Sequence, residues 1–131
     1  MANTAGLIKR CAYLFSVAKD ISYAELKALV GKSPTLVLID VRGVDEYGKG
    51  RIPGSVNIPV DTVEAALSMS PEEFEATYGV TKPQKDASEL VFHCQIGRRG
   101  AKATDKAREM GYVNARNYPG AYREWSQKDG K

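Results

Sequence analysis

The segment that most constrains this chain is Glu89–Gly111, which reads ELVFHCQIGRRGAKATDKAREMG. Leu90, Val91 and Phe92 form a continuous apolar run of buried-strand length, and it delivers His93 and Cys94 at its end. A short glycine- and arginine-containing loop, Gln95–Gly100, follows. Ala101, Ala103, Ala107 and Met110 then give a small-residue packing surface at helical spacing, and Gly111 is placed to close that helix in the left-handed conformation. A strand running through a tight loop into a helix turns the loop N–H groups inward at a helix N-terminus, where anions are favoured. Cys94 is placed to be that anion.

A free thiol is mostly protonated at neutral pH, and the thiolate is the nucleophile. The loop N–H donors, the helix N-terminus and the charges of Arg98 and Arg99 all favour the ionised form. The bland alternative is an inert core cysteine at a strand end, but an inert thiol has no use for such a loop.

Around that segment the chain alternates short strands with helices. Ser22 and Glu25 form a capping box for a helix over Tyr23–Val30 that stops at Gly31. Thr35–Ile39 is an apolar, β-branched-rich run suited to a central parallel strand, and it presents Asp40 and Arg42 at its C-terminal end, where open α/β sheets bind ligands. Val44–Tyr47 predicts one helical turn, Gly48–Gly54 a loop and Ser55–Ile58 a second strand. Asp61 with Glu64 predicts a capped helix through Leu67, and Ser70-Pro71 starts another that stops at Gly79. Val113–Tyr118 predicts a last strand, and Pro119-Gly120 turns the chain into a helix carrying Tyr122 and Trp125. This order implies an α/β domain of three layers, a mostly parallel sheet of about five short strands with helices on both faces.

Composition removes several function classes. A chain of 131 residues suggests one domain, assigned to 21–131. The net charge of +3 is too mild for nucleic acid, and no basic stripe carries interleaved aromatics. Cys11 and Cys94 make no disulfide framework, and nothing has metal-ligand spacing around the single His93. No apolar run approaches membrane-spanning length. Residues 1–20 form an N-terminal extension: Lys9, Arg10 and Lys19 precede its first acid, Asp20, and Leu7, Ile8, Cys11, Leu14, Phe15 and Ala18 share one helical face. It reads either as a mitochondrial targeting segment or as an extra helix. The expected location is intracellular, cytoplasmic or mitochondrial.

Three ordered motifs carry a resemblance to a known family. The segments IDVRGVDEYGKGRIPGSVNIP (Ile39–Pro59), HCQIGRRG (His93–Gly100) and NYPGAYREW (Asn117–Trp125) resemble the signatures of the rhodanese family in its single-domain sulfurtransferase form. The likeness is collinear over about residues 20–127. One departure stands out: where the first signature usually has a histidine before Ile-x-Gly, this chain has Arg51.

The resemblance implies a rhodanese-like fold with Cys94 as nucleophile and Gln95, Ile96, Gly97, Arg98, Arg99 and Gly100 as the substrate-binding loop. Asp40, Arg42, Glu46 and Arg51 are expected in support, with Arg42 and Glu46 spaced to form an ion pair. In a regular pleat His93 faces away from Cys94 and is expected to be structural. Phosphatases sharing the fold place five residues between cysteine and the phosphate-gripping arginine, whereas Gln95, Ile96, Gly97 and Arg98 are four before Arg99. The smaller ring suits a sulfur atom carried on cysteine better than a phosphate. Arg99 is favoured over Arg98 as the inward arginine. The implied reaction is transfer of sulfane sulfur from a small anionic donor such as thiosulfate to glutathione, another thiol or cyanide, through a persulfide on Cys94. It needs no metal or organic cofactor, and a monomer is expected. The competing readings are a protein-to-protein persulfide carrier or interaction module, with a protein as sulfur acceptor, and a phosphatase or arsenate reductase of the same fold.

Overall fold

The computed structural model describes residues 19–129; the amphipathic face predicted over Leu7–Ala18, with Cys11, lies outside them. The elements begin with α1 (Tyr23–Leu29), β1 (Val37–Asp40), α2 (Val44–Lys49) and β2 (Val56–Asn57). A 3₁₀ turn (Val60–Thr62) leads into α3 (Val63–Leu67), followed by α4 (Pro71–Tyr78) and β3 (Leu90–His93). The last elements among the described residues are α5 (Arg98–Glu109), β4 (Ala115–Asn117) and α6 (Ala121–Asp129). The strands are all parallel in the order β2-β1-β3-β4, so their C-terminal ends share one edge.

Alternation along the strands builds two apolar layers. Ile39, Leu90 and Phe92 face a core completed by Val63, Ala66 and Leu67 of α3, Phe74 of α4 and Ala103 and Ala107 of α5. Leu38 and Val91 face the other side, against Leu26 of α1, Ile52, Tyr118 and Trp125 of α6. Both layers are needed because β1 and β3 are buried centre strands with apolar residues on each face. Gly100 lets α5 lie directly on β3: a Cβ there would come within 2.4 Å of Asn117 Oδ1 and 3.0 Å of His93 Cα.

Local signals account for most helix ends. Ser22 Oγ accepts from the Glu25 N–H at 3.1 Å, and the Glu25 carboxylate returns to the Ser22 N–H at 3.4 Å. Ser70 Oγ accepts from the Glu73 N–H at 3.1 Å, and Gly79 closes α4 at φ 77°.

Two details differ from the sequence reading. Among the described residues the sheet has four strands, against about five expected. The chain before α1 makes one backbone hydrogen bond to β4, Ile21 N–H to the Asn117 carbonyl at 3.0 Å, and the Arg116 side chain of β4 donates to the Lys19 carbonyl at 2.6 Å, which is an anchor and not a ladder. The capping box of Asp61 and Glu64 is also replaced. The Val60 N–H donates to the Val41 carbonyl at 3.1 Å, so the helical turn begins at Val60 and Asp61 is already inside it. Thr62, which precedes α3, makes no side-chain cap.

Candidate active site

Parallel order carries the ends of β1 and β3 to the same edge, with Asp40 directly opposite His93. The residue after β3, Cys94, belongs to the apolar layer under α5 and is fully buried. Its Sγ accepts a hydrogen bond from the Gly97 N–H at 3.0 Å. Gly97 adopts φ 106°, a region that L side chains resist, and a Cβ there would come within 2.9 Å of the Pro119 carbonyl oxygen. That conformation turns the chain into α5, whose first residue is Arg98. The thiol therefore sits at the foot of a tight loop facing a helix N-terminus.

The loop residues divide by exposure. Gly97 and Gly100 are buried, Gln95 and Arg99 half-buried, and Ile96 and Arg98 exposed, Ile96 at 55%. Arg99 makes a bidentate pair with Glu46, Nη1–Oε1 2.7 Å and Nη2–Oε2 3.0 Å. The Glu46 carboxylate is the largest stabiliser of the Arg99 cation, with the Cys94 sulfur adding to it. Arg99 is thus held at the loop by Glu46, while Arg98 is exposed.

The supporting residues come together with different partners than their spacing suggests. Arg42 does not pair with Glu46. It wraps Asp40 instead, with Nε 3.0 Å from both carboxylate oxygens and Nη2 2.7 Å from Oδ2. Nη2 also donates to the Gly50 carbonyl at 2.6 Å, and Nη1 to the Gln95 amide oxygen at 3.4 Å. The Tyr122 ring lies 4.4 Å beneath its guanidinium. The reason is reach: Glu46 sits in the first turn of α2, its carboxylate accepts the Gly43 N–H at 2.9 Å, and this aims it at Arg99. Arg51 is exposed and stacks 4.2 Å above the Tyr47 ring, so its charge rests on α2.

His93 is buried on the face opposite Cys94, near Tyr118, with ring centroids 6.5 Å apart. Burial pushes its imidazole below the ordinary pKa and outweighs the nearby Asp40, so it is neutral. Its Nδ1 lies 3.2 Å from the Cys94 carbonyl, which only accepts, so Nδ1 carries the proton.

Sequence reasoning missed the contribution of α6. The Tyr122 N–H donates to the Cys94 carbonyl at 2.9 Å and the Arg123 N–H to the Gln95 carbonyl at 3.1 Å. Ala121 holds this helix start at φ 63°, a left-handed angle that costs an alanine about 1 kcal/mol. The far end of α6 is clamped by Tyr23 and Lys27 on Asp129, at 2.6 and 2.9 Å. The Pro119-Gly120 signal marks a helix start in the sequence, but nothing in it says where those N–H groups point. Among the described residues no group of three or more metal-ligating side chains assembles, and no helix is long and apolar enough to cross a membrane.

The Glu46–Arg99 pair makes stability depend on pH. Hydrogen bonding to Arg99 lowers the Glu46 pKa from 4.5 to about 2, more than burial raises it. Such a depressed carboxyl contributes stability above its unfolded pKa and loses it as pH falls from the mid-4 range through about 2. Because both side chains are more than a third exposed, at 37% and 39%, the contribution is at most about 1 kcal/mol after solvent screening. Denaturation midpoints measured through this range should fall less for Glu46→Gln than for the unsubstituted protein. Parallel curves would remove the pair from the acid response.

A buried thiol under an anion-receiving loop, at the C-terminal edge of a parallel sheet, defines a cysteine-loop α/β domain. The chain belongs to the rhodanese family: the family model described as Rhodanese-like domain matches residues 22–128. It is 48% identical over 112 residues to the human thiosulfate:glutathione sulfurtransferase, covering 86% of this chain and 96% of that protein. It is 40% identical over 128 residues to a putative mitochondrial thiosulfate sulfurtransferase of Schizosaccharomyces pombe, covering 93% and 89%. The solved structure of a human single-domain sulfurtransferase superposes with a TM-score of 0.80 at 49% identity, covering 83% of this chain and 96% of the other.

Proposed function

We propose that this protein is a thiosulfate sulfurtransferase that carries sulfane sulfur as a persulfide on Cys94 and delivers it to a low-molecular-weight thiol such as glutathione. The observation that carries this reading is the Gly97 N–H donating to Cys94 Sγ at 3.0 Å, inside a loop of four residues between Cys94 and Arg99. The names of the relatives support the same donor and acceptor. The reaction is nucleophilic covalent catalysis in two displacements.

In the first, the Cys94 thiolate attacks the outer sulfur of thiosulfate. A new S–S bond forms, the bond to the sulfonate sulfur breaks, and sulfite leaves with the electron pair. In the second, an acceptor thiolate attacks the terminal sulfur of the Cys94 persulfide, forming the acceptor persulfide and returning the Cys94 thiolate. The negative charge on the terminal sulfur needs donors already in place, as an oxyanion hole supplies them to oxygen. Loop N–H groups between Gln95 and Gly100 are the source, and Arg98 gives the local positive potential that attracts the dianion. A thiolate nucleophile fits a reducing compartment, and a cytoplasmic or mitochondrial monomer is the corresponding assignment.

Intact mass spectrometry tests the reading. Thiosulfate should add the mass of one sulfur atom, and glutathione should remove it with turnover. Loading without discharge by small thiols would make the protein a carrier that needs a docked protein acceptor. Absence of loading would end the sulfurtransferase reading. Ring size gives a second check. Inserting one glycine between Gln95 and Arg99 should weaken loading in a folded variant and admit phosphate or arsenate. Unchanged thiosulfate activity in that variant would defeat the ring-size argument.

A further inference from the structure

Four arginines are tied to the cysteine loop, and their commitments differ. Arg42 is absorbed by Asp40, and Arg99 by Glu46. Arg98 and Arg123 are exposed, and among the described residues neither carries an ion pair. Arg98 follows Gly97, whose N–H touches the sulfur, so its backbone lies next to the thiol while its side chain is exposed. Arg123 stands one layer out. Its N–H holds the Gln95 carbonyl at 3.1 Å, and because helical Cα–Cβ bonds tilt toward the N-terminus, its side chain leans toward the loop. Ile96, 55% exposed, projects from the same loop. An exposed isoleucine on a loop held by the backbone of an uncommitted cation is poorly explained by packing, since neither contributes to the core.

The two substrates differ in where they carry charge. Thiosulfate is a compact dianion whose charge lies next to the sulfur being attacked. Glutathione carries two carboxylates several bonds from its thiol, on a chain with apolar methylenes. An outer cation is therefore suited to the acceptor and an inner one to the donor.

Resting on the sulfurtransferase reading above, we propose that Arg123 is a specificity-determining residue that binds a carboxylate of the thiol acceptor, with Ile96 covering the acceptor's methylene stem. The class of ligand is a carboxylate-bearing low-molecular-weight thiol.

The test compares glutathione with 2-mercaptoethanol, a thiol without a carboxylate, as acceptors for the thiosulfate-loaded full chain. Arg123→Gln should raise KM for glutathione about fivefold, the upper end for an exposed ion pair, and raise the glutathione to 2-mercaptoethanol KM ratio with it. Arg123→Lys, which keeps the charge, should recover most of that ratio. If Arg123→Gln still takes up sulfur from thiosulfate but leaves the ratio unchanged, the assignment is overturned. Equal losses with both thiols would also overturn it, showing that the residue only braces the loop. Failure of the unsubstituted protein to load sulfur would instead bring down the sulfurtransferase reading, and this proposal with it.

Discussion

Cys94→Ser should remove both the thiosulfate-dependent mass gain and all measurable turnover. A serine hydroxyl in the same place is neutral at working pH and cannot carry a sulfane sulfur as a persulfide. Loss of a covalent nucleophile elsewhere lowers turnover by a factor on the order of 10⁴ to 10⁶, and a comparable loss is expected here. The variant should fold, because oxygen is smaller than sulfur and can still accept the Gly97 N–H that Sγ accepts at 3.0 Å. Cys11→Ser should leave loading and turnover in place. The site is misassigned if Cys94→Ser still loads sulfur and Cys11→Ser does not.

Asp40→Ala should cost about 3–5 kcal/mol of stability, because it strands the Arg42 charge. Arg42 is 2% exposed and Asp40 fully buried, and three side-chain hydrogen bonds join them. For a domain with roughly 5–15 kcal/mol in total, that is a large share. The double variant Asp40→Leu, Arg42→Met should recover much of the loss, since it leaves no unpaired charge. Chemical denaturation of the three variants measures this. A double variant no more stable than Asp40→Ala would mean that the pair is needed for its attraction and not merely for its neutrality. Because Arg42 also reaches Gly50 and Gln95, Asp40→Ala should loosen the cysteine loop before it unfolds the sheet.

Much of this architecture was legible in the sequence wherever one local rule decided the outcome. The apolar run of Leu90–Phe92, the Ser22 and Ser70 caps and the Gly79 stop are each set within a few residues, and each appears in place. Cys94 and its loop were legible for the same reason, as a strand, a glycine turn and a helix in immediate succession. What local rules missed was partner choice. Arg42 and Glu46 are spaced for each other, but Arg42 turns back onto Asp40 at the strand end while Glu46 reaches Arg99, fifty-three residues on. The hydrogen bonds from α6 to the loop carbonyls depend on how a distant helix packs, and no periodicity reports that. Asp61 failed as a cap because a tertiary hydrogen bond at Val60 started the turn early.

The Cys94 carbonyl receives two donors, the Tyr122 N–H at 2.9 Å and His93 Nδ1 at 3.2 Å. Both of its lone pairs are therefore occupied, and the peptide unit joining Cys94 to Gln95 cannot rotate without giving up a buried hydrogen bond. Two backbone arrangements would be the simplest way to serve a residue that alternates between thiolate and persulfide. Here the carbonyl side is pinned in one. Reorganisation energy in each half-reaction then falls on the travelling sulfur and its incoming partner, and the loop meets either form already arranged.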